Sequence, residues 1–329
     1  MDKHYNETPV VSMKNITKRF GNKEVLHSID FDLHKCEVHA LLGENGAGKT
    51  TLMNILYGIF APTDGTITIN GNTFASMTPK EAIDAGIGMV HQHFMLIEPL
   101  TVTENIILGY EEDTGLFLDR KEARQKIKKL SDRYGLHIDP DARVEDITVG
   151  QQQRVEILKA LYRGADVLIF DEPTAVLTPQ EIKEFIDIVN KLTSMEKSII
   201  IITHKLAEIK AMADYCTIIR RGEFIDKLRV ADIDENILAE KMVGRNVSFN
   251  VDKQIKDPGG VVLNIDDLWV KDKRGVDILK GLNLNLRAGE ILGIAGVDGN
   301  GQTELMDAIT GMAKANRGTV TLNGEDITN

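Results

Sequence analysis

The sequence predicts an α/β fold built on a parallel sheet with a phosphate-binding loop, and three observations lead there. Short, continuous apolar runs alternate with helical patterns, as buried parallel strands and their crossover helices do. A glycine-rich loop, Gly43-x4-Gly48-Lys49-Thr50, stands between one such run and a helix. The same loop recurs near the end of the chain, so the fold is predicted to begin again there.

Val38 to Leu42 reads as the strand before the loop, and Thr50 to Tyr57 as the helix after it. Ile87 to Val90 reads as another strand. Residues 119–135 set Arg120, Lys121, Arg124, Lys126, Lys128 and Lys129 between apolar positions, the pattern of an amphipathic helix. Val167 to Phe170 and Ser198 to Ile202 are strands buried on both faces. Pro179 starts a helix reaching about Leu192, with Thr178 as N-cap and Glu181 three residues on.

The repeat is ungapped. Gly43 to Met53 is answered by Gly296 to Met306, an offset of 253 residues, and Gly58, Gly65 and Gly71 by Gly311, Gly318 and Gly324. Upstream, Val25, Leu26 and Glu37 answer Ile278, Leu279 and Glu290. The second copy stops at Asn329 soon after Gly324, so the chain reads as one full unit plus the opening of another, a truncated chain. Residues 9–245 are expected to form the first domain, with a helical insert over about 93–165. Residues 246–260, with Pro258, Gly259 and Gly260, read as a linker, and 261–329 as the incomplete second domain.

Composition narrows the function. A chain of 329 residues with 42% hydrophobic content suits about two soluble domains. A net charge of −11 argues against nonspecific binding to nucleic acid or anionic lipid. No apolar run approaches the ~18–20 residues of a membrane span, and the N-terminus lacks a signal-peptide layout. Cys36 and Cys216 form no CxxC or metal-ligand spacing, which suits a reducing cytosol. Any membrane role must come through a partner.

The loop Gly43, Glu44, Asn45, Gly46, Ala47, Gly48, Lys49, Thr50, Thr51 is the candidate nucleotide cradle. Its glycines let backbone N–H groups approach phosphate oxygens, and the helix N-terminus adds a favourable dipole. Lys49 supplies a point charge to the terminal phosphates and Thr50 a hydroxyl to Mg²⁺. The strand at Val167 ends in Asp171-Glu172, which places Asp171 toward the Mg²⁺ shell and Glu172 beside the γ-phosphate, where it can orient or deprotonate water. His91 and His93 share the spacing of one strand face, but no cysteine or carboxylate completes a metal site nearby.

Between the loop and the Asp-Glu strand lies Ile147-Thr148-Val149-Gly150-Gln151-Gln152-Gln153-Arg154. This segment resembles the Leu-Ser-Gly-Gly-Gln signature of the ATP-binding-cassette (ABC) transporter ATPases. The resemblance covers residues 9–245 and, as a partial second cassette, 261–329. It implies a RecA-like phosphate-loop NTPase core with an antiparallel β subdomain and an α-helical subdomain, hydrolysing ATP with Mg²⁺. It also implies that the signature, with Thr148, Gly150 and Gln151, caps a γ-phosphate held by the opposite cassette. Val149 departs from the family's glycine, which bears on closure geometry.

By the same resemblance Phe20 matches the aromatic that stacks on adenine, an ordinary core aromatic being the alternative. Gln92, placed at a strand end, matches the glutamine that couples permease contact to Mg²⁺ and water. His204 matches the switch histidine on the γ-phosphate. Thr178 stands where the family's D-loop aspartate is usual. In the second copy the nucleotide loop is Gly296, Gly299, Gly301, Gln302 and Thr303, and the neutral Gln302 replaces the lysine.

Two fused cassettes with a degenerate second one resemble the sugar-type importers. The segments at His91, Val149 and Thr174 look most like those of the nucleoside (purine nucleoside) uptake branch. Implied partners are integral membrane permease subunits, the second cassette in cis and, indirectly, an extracytoplasmic substrate-binding lipoprotein, with no nucleic acid. The implied place is the cytoplasmic face of the cell membrane. The rivals are a non-transport ATPase of translation or DNA repair, which would carry basic insertions not seen here, and a regulatory module without turnover, which Lys49, Asp171 and Glu172 speak against.

Overall fold

The computed structural model describes residues 8–92, 94–110, 120–244, 257–272, 275–296 and 299–328. Strand β1 (Val11–Phe20) turns into β2 (Lys23–Leu33), and β3 (Val38–Leu42) runs through the glycine loop into helix α1 (Lys49–Leu56). β4 (Asp64–Ile69), β5 (Asn72–Phe74), α2 (Pro79–Asp84) and β6 (Ile87–Val90) follow. Three helices come next, α3 (Val102–Ile107), α4 (Arg120–Tyr134) and α5 (Val149–Tyr162). Then come β7 (Val167–Asp171), α6 (Pro179–Ser194), β8 (Ser198–Ile202), α7 (Leu206–Met212), β9 (Tyr215–Arg220), β10 (Glu223–Arg229) and α8 (Glu235–Val243). All of these belong to the first of two compact units, Met1–Val247.

A six-stranded sheet in the order β10-β9-β3-β8-β7-β6 is parallel except between β9 and β10. Every residue of β3, β6, β7 and β8 is buried. Burial on both faces explains why these strands read as unbroken apolar runs without alternation. On one side α1 joins the antiparallel sheet β2-β1-β4-β5, with Leu52, Met53 and Leu56 packed among Met13, Ile16, Phe31 and Ile67. On the other side Ile127, Leu158 and Phe185 of α4, α5 and α6 pack with Phe170 of β7, whose ring meets Phe185 edge-on at 5.3 Å.

The predicted helix at 50–57 starts one residue earlier, and the one at 179–192 runs on to Ser194. The helix expected over 119–135 spans Arg120–Tyr134, residue 119 lying outside the described residues. Strand β6 stops at Val90, so His91 and Gln92 lie beyond its end instead of on it. Among the described residues β6 pairs with β7 alone, and their register ends at Val90 against Phe170.

Helix α6 opens on a reciprocal capping box. The Thr178 hydroxyl accepts from the Glu181 N–H, and the Glu181 carboxylate accepts from the Thr178 N–H at 3.0 Å. Thr178→Ala is expected to cost about 1 kcal/mol in urea unfolding. A change below about 0.3 kcal/mol would show that packing alone sets the start of this helix.

The second unit, Ser248–Asn329, holds β11 (Val261–Lys271), β12 (Asp277–Arg287), α9 (Gln302–Ile309), β13 (Arg317–Leu322) and β14 (Glu325–Asp326). Its sheet order, β12-β11-β13-β14, repeats β2-β1-β4-β5 of the first unit. Leu263, Ile265, Leu279, Leu305 and Val320 form its core. Among the described residues no helix is long and apolar enough to cross a membrane.

Candidate nucleotide site

Three adjacent parallel strands, β3, β8 and β7, aim their carboxyl ends at one cleft of about 490 Å³. Such sheet ends are where open α/β folds bind ligands. The loop after β3 brings Asn45, Gly46, Ala47, Gly48, Lys49, Thr50 and Thr51; β7 brings Asp171 and Glu172; the turn after β8 brings His204; and Gln92 arrives from beyond β6. Lys49 and Asp171, 122 positions apart in sequence, thus line the same cleft.

The loop is shaped by close approach. A side chain at Gly43 would run into the Ile219 carbonyl of β9, and one at Gly48, with φ of 105°, into Leu26 of β2. Gly48 is the N-cap of α1 and no side chain caps that end. The first-turn amides of α1 therefore have no intrahelical acceptor and are able to donate to an anion.

Lys49 is buried, and its Nζ donates to the Gly43 carbonyl at 2.7 Å and the Glu44 carbonyl at 3.0 Å. Burial lowers its pKa, while the Glu172 and Asp171 carboxylates oppose that shift. Asp171 is buried too, and burial together with Glu172 raises its pKa, against a hydrogen bond from Thr50 and the charge of Lys49. The Glu172 N–H donates to the Ile202 carbonyl at 2.9 Å, and its Oε1 lies 3.0 Å from His204 Nδ1. Thr50, Gln92 and Asp171 offer a hydroxyl, an amide and a carboxylate, the oxygen donors that hard divalent cations take.

Other expected residues stand outside the cleft lining. Phe20 ends β1 and is 44% exposed, which sets aside the reading of a core aromatic. Its ring meets Phe60 edge-on at 5.3 Å, with Lys18 Nζ 5.0 Å from its centroid. Thr148 is the N-cap of α5 and forms a capping box with Gln151, while Gly150 is buried against the Glu181 carboxylate. Val149, the departure from the family pattern, is 39% exposed. His91 meets Tyr57 edge-on at 6.0 Å, and His93 lies outside the described residues.

In the second unit Gly301 caps α9 as Gly48 caps α1, with φ of 95°, and Thr303 lies in the first turn. The Gln302 side chain folds back over Gly296, and Gly299 precedes that cap in the same loop.

Val25, Ala175 and Ile202 also line the cleft without any motif to announce them. Gln153 of α5 donates to the Pro173 carbonyl at 2.8 Å, next to Glu172. Such contacts carry no local sequence signal, because they depend on how distant elements pack.

Parallel strands that deliver a glycine loop, an Asp-Glu strand end and a histidine to one cleft are the architecture of a phosphate-loop nucleotide-binding domain. Among such domains, the ABC transporter family matches residues 26–175 and 279–329. The chain belongs to that family.

Among curated relatives, the nucleoside import ATP-binding protein NupA of Lactococcus lactis is 56% identical over 98% of this chain. The guanosine import ATP-binding protein NupO of Bacillus subtilis is 54% identical over 97% of it. The glucose import ATP-binding protein TsgD13 of Haloferax volcanii is 45% identical over 98%. The chain spans 64%, 63% and 64% of these three relatives, respectively. A crystal structure of an ABC transporter's ATP-binding cassette in its ADP conformation superposes with a TM-score of 0.65 at 22% identity, covering 73% of this chain and 100% of that one. The cbiO1 cassette of Clostridium perfringens gives a TM-score of 0.60 at 26% identity, over 72% of this chain and 93% of that one. These likenesses bear out the predicted cassette fold.

Proposed function

We propose that this chain binds and hydrolyses ATP to power import of a nucleoside through partner permease subunits. The observation that carries this reading is the meeting of Lys49, Asp171, Glu172 and His204 in one cleft, in a chain whose relatives are named for nucleoside and guanosine import. The first-turn amides of α1 and Lys49 would hold the triphosphate, and Phe20 would stack on adenine. Thr50, Asp171 and Gln92 would hold Mg²⁺, which would supply positive charge to the phosphate oxygens. Glu172 would accept a proton from the attacking water or orient it, and His204 would hold Glu172 and the γ-phosphate in line.

In this reading residues 9–245 form one cassette, 246–260 a linker and 261–329 the start of a second. Thr148, Gly150 and Gln151 of one cassette close on the nucleotide of the other, and Gly296, Gly299, Gly301, Gln302 and Thr303 form a weaker second loop. The subunit would sit on the cytoplasmic face of the membrane through its permease, with a substrate-binding lipoprotein acting outside. A simple sugar is the second reading, favoured by the 45% identity to a glucose import protein.

Proteoliposomes carrying the subunit and its permease, loaded with ATP, test both. Guanosine uptake is expected to exceed ribose and glucose uptake by about tenfold or more, since a site built to hydrogen-bond a base discriminates strongly. Uptake that ignores ATP would overturn the transport reading, and faster sugar uptake would replace the nucleoside.

A further inference from the structure

Glu172 has φ of 50°, in the left-handed region that a non-glycine residue keeps only when its surroundings over-determine it. The two residues that follow it are held by side chains from two other elements. From α5, buried Gln153 donates through Nε2 to the Pro173 carbonyl at 2.8 Å. From the start of α7, Lys205 Nζ donates to the Thr174 carbonyl at 2.8 Å, and the Thr174 hydroxyl donates to Glu208 Oε2 at 2.6 Å. Lys205 Nζ also lies 3.3 Å from Glu208 Oε1, so this carboxylate is paired in charge. Thr174 is 1% exposed and Glu208 8%, which leaves water little access to compete for these bonds.

Position gives the cluster its meaning. Lys205 follows His204 directly and is the N-cap of α7, whose first turn carries Glu208. Thr174 is two residues past Glu172. The cluster therefore ties the chain just beyond Glu172 to the chain just beyond His204, while Thr174, Lys205 and Glu208 stay out of the cleft lining. The 3.0 Å approach of His204 Nδ1 to Glu172 Oε1 depends on the spacing of those two chain segments. A charged acceptor makes shorter, stronger hydrogen bonds than a neutral one, which suits a carboxylate to this place.

We propose that Glu208 is a positioning residue for ATP hydrolysis. Through Thr174 and Lys205 it fixes Glu172 and His204 relative to one another. The inference rests on the hydrolytic reading of the cleft.

The test compares wild type, Glu208→Ala, Glu208→Gln and Thr174→Val in the subunit assembled with its permease. Glu208→Ala is expected to lower kcat by about tenfold to a hundredfold, the loss that small misplacement of a catalytic group brings. The ATP dissociation constant should stay within about twofold, since no phosphate contact is lost. Glu208→Gln keeps an acceptor for the Thr174 hydroxyl and should recover part of the rate. In a Glu172→Gln background the further loss should vanish, because Glu208 acts through Glu172.

An equal further loss in that background overturns the proposal. So does a kcat within about twofold of wild type, or affinity that falls as far as kcat. If Glu208→Ala does not fold, Glu208→Gln and Thr174→Val decide by the same criteria. Turnover in wild type that is absent, or that survives Lys49→Ala, overturns the hydrolytic reading itself.

Discussion

Glu172→Gln is expected to leave ATP binding intact while turnover falls by roughly a hundredfold to ten-thousandfold, the range spanned by loss of a positioned general base. The substitution keeps the shape of the side chain and its reach to His204, which lies 3.0 Å away through Nδ1. It removes the one property a water-activating group needs, an anionic oxygen that can take a proton. Binding should survive because the phosphate cradle is built from Gly46 to Thr51 and the first turn of α1, none of which the substitution touches. Loss of one carboxylate beside Asp171 and Lys49 also lessens the negative charge facing the triphosphate. The decisive measurement pairs steady-state hydrolysis by the assembled transporter with equilibrium nucleotide binding. Near-wild-type turnover would remove Glu172 from the chemistry, and lost binding would mean that it helps to build the cradle.

Lys49→Ala should weaken ATP binding by about tenfold to a hundredfold, the value of a charged hydrogen-bond donor worth ~1.5–3 kcal/mol. Lys49 Nζ is held by the carbonyls of Gly43 and Glu44 and is buried, so its charge is poorly screened and already placed at the loop. Its removal also takes away a cation that interacts with the charges of Asp171 and Glu172. The matching change in the second unit, Gln302→Ala, removes a neutral amide worth ~0.5–1.5 kcal/mol and should cost about tenfold or less. Titration with a fluorescent ATP analogue compares the two. Equal losses would contradict the unequal roles given to the two loops.

The hydrolysis proposed for this cleft would require loops distant in sequence to hold angstrom-level spacing, and the order of strands first brings them together. The sheet places β8 between β3 and β7, so the phosphate loop, the Asp171-Glu172 pair and His204 become neighbours. The phosphate loop was legible as a spaced motif and the Asp171-Glu172 pair as the end of an apolar run, while His204 was a candidate only through its resemblance to the family's switch histidine. Their meeting was not legible, because strand order is set by pairing between residues far apart in the chain. The Glu208–Thr174–Lys205 cluster was invisible for the same reason.

What the amino-acid sequence determined by itself was local and periodic. Thr178 with Glu181 marked the start of α6, Gly48-Lys49-Thr50 marked the start of α1, and the buried strands stood out as apolar runs. Each follows from short-range hydrogen bonding or from side-chain period. The repeat shows where this stops. Val38 to Leu42 and Ile291 to Ala295 occupy equivalent places at the 253-residue offset, and both are mainly apolar. The first is the fully buried strand β3, while residues 291–296 form no strand and Ile291 is 84% exposed. The difference lies in the partners, for β3 pairs with β8 and β9, whereas no strand among the described residues pairs with residues 291–296. A strand's backbone donors and acceptors are satisfied only by neighbouring strands, so an apolar run becomes a strand where tertiary structure supplies them.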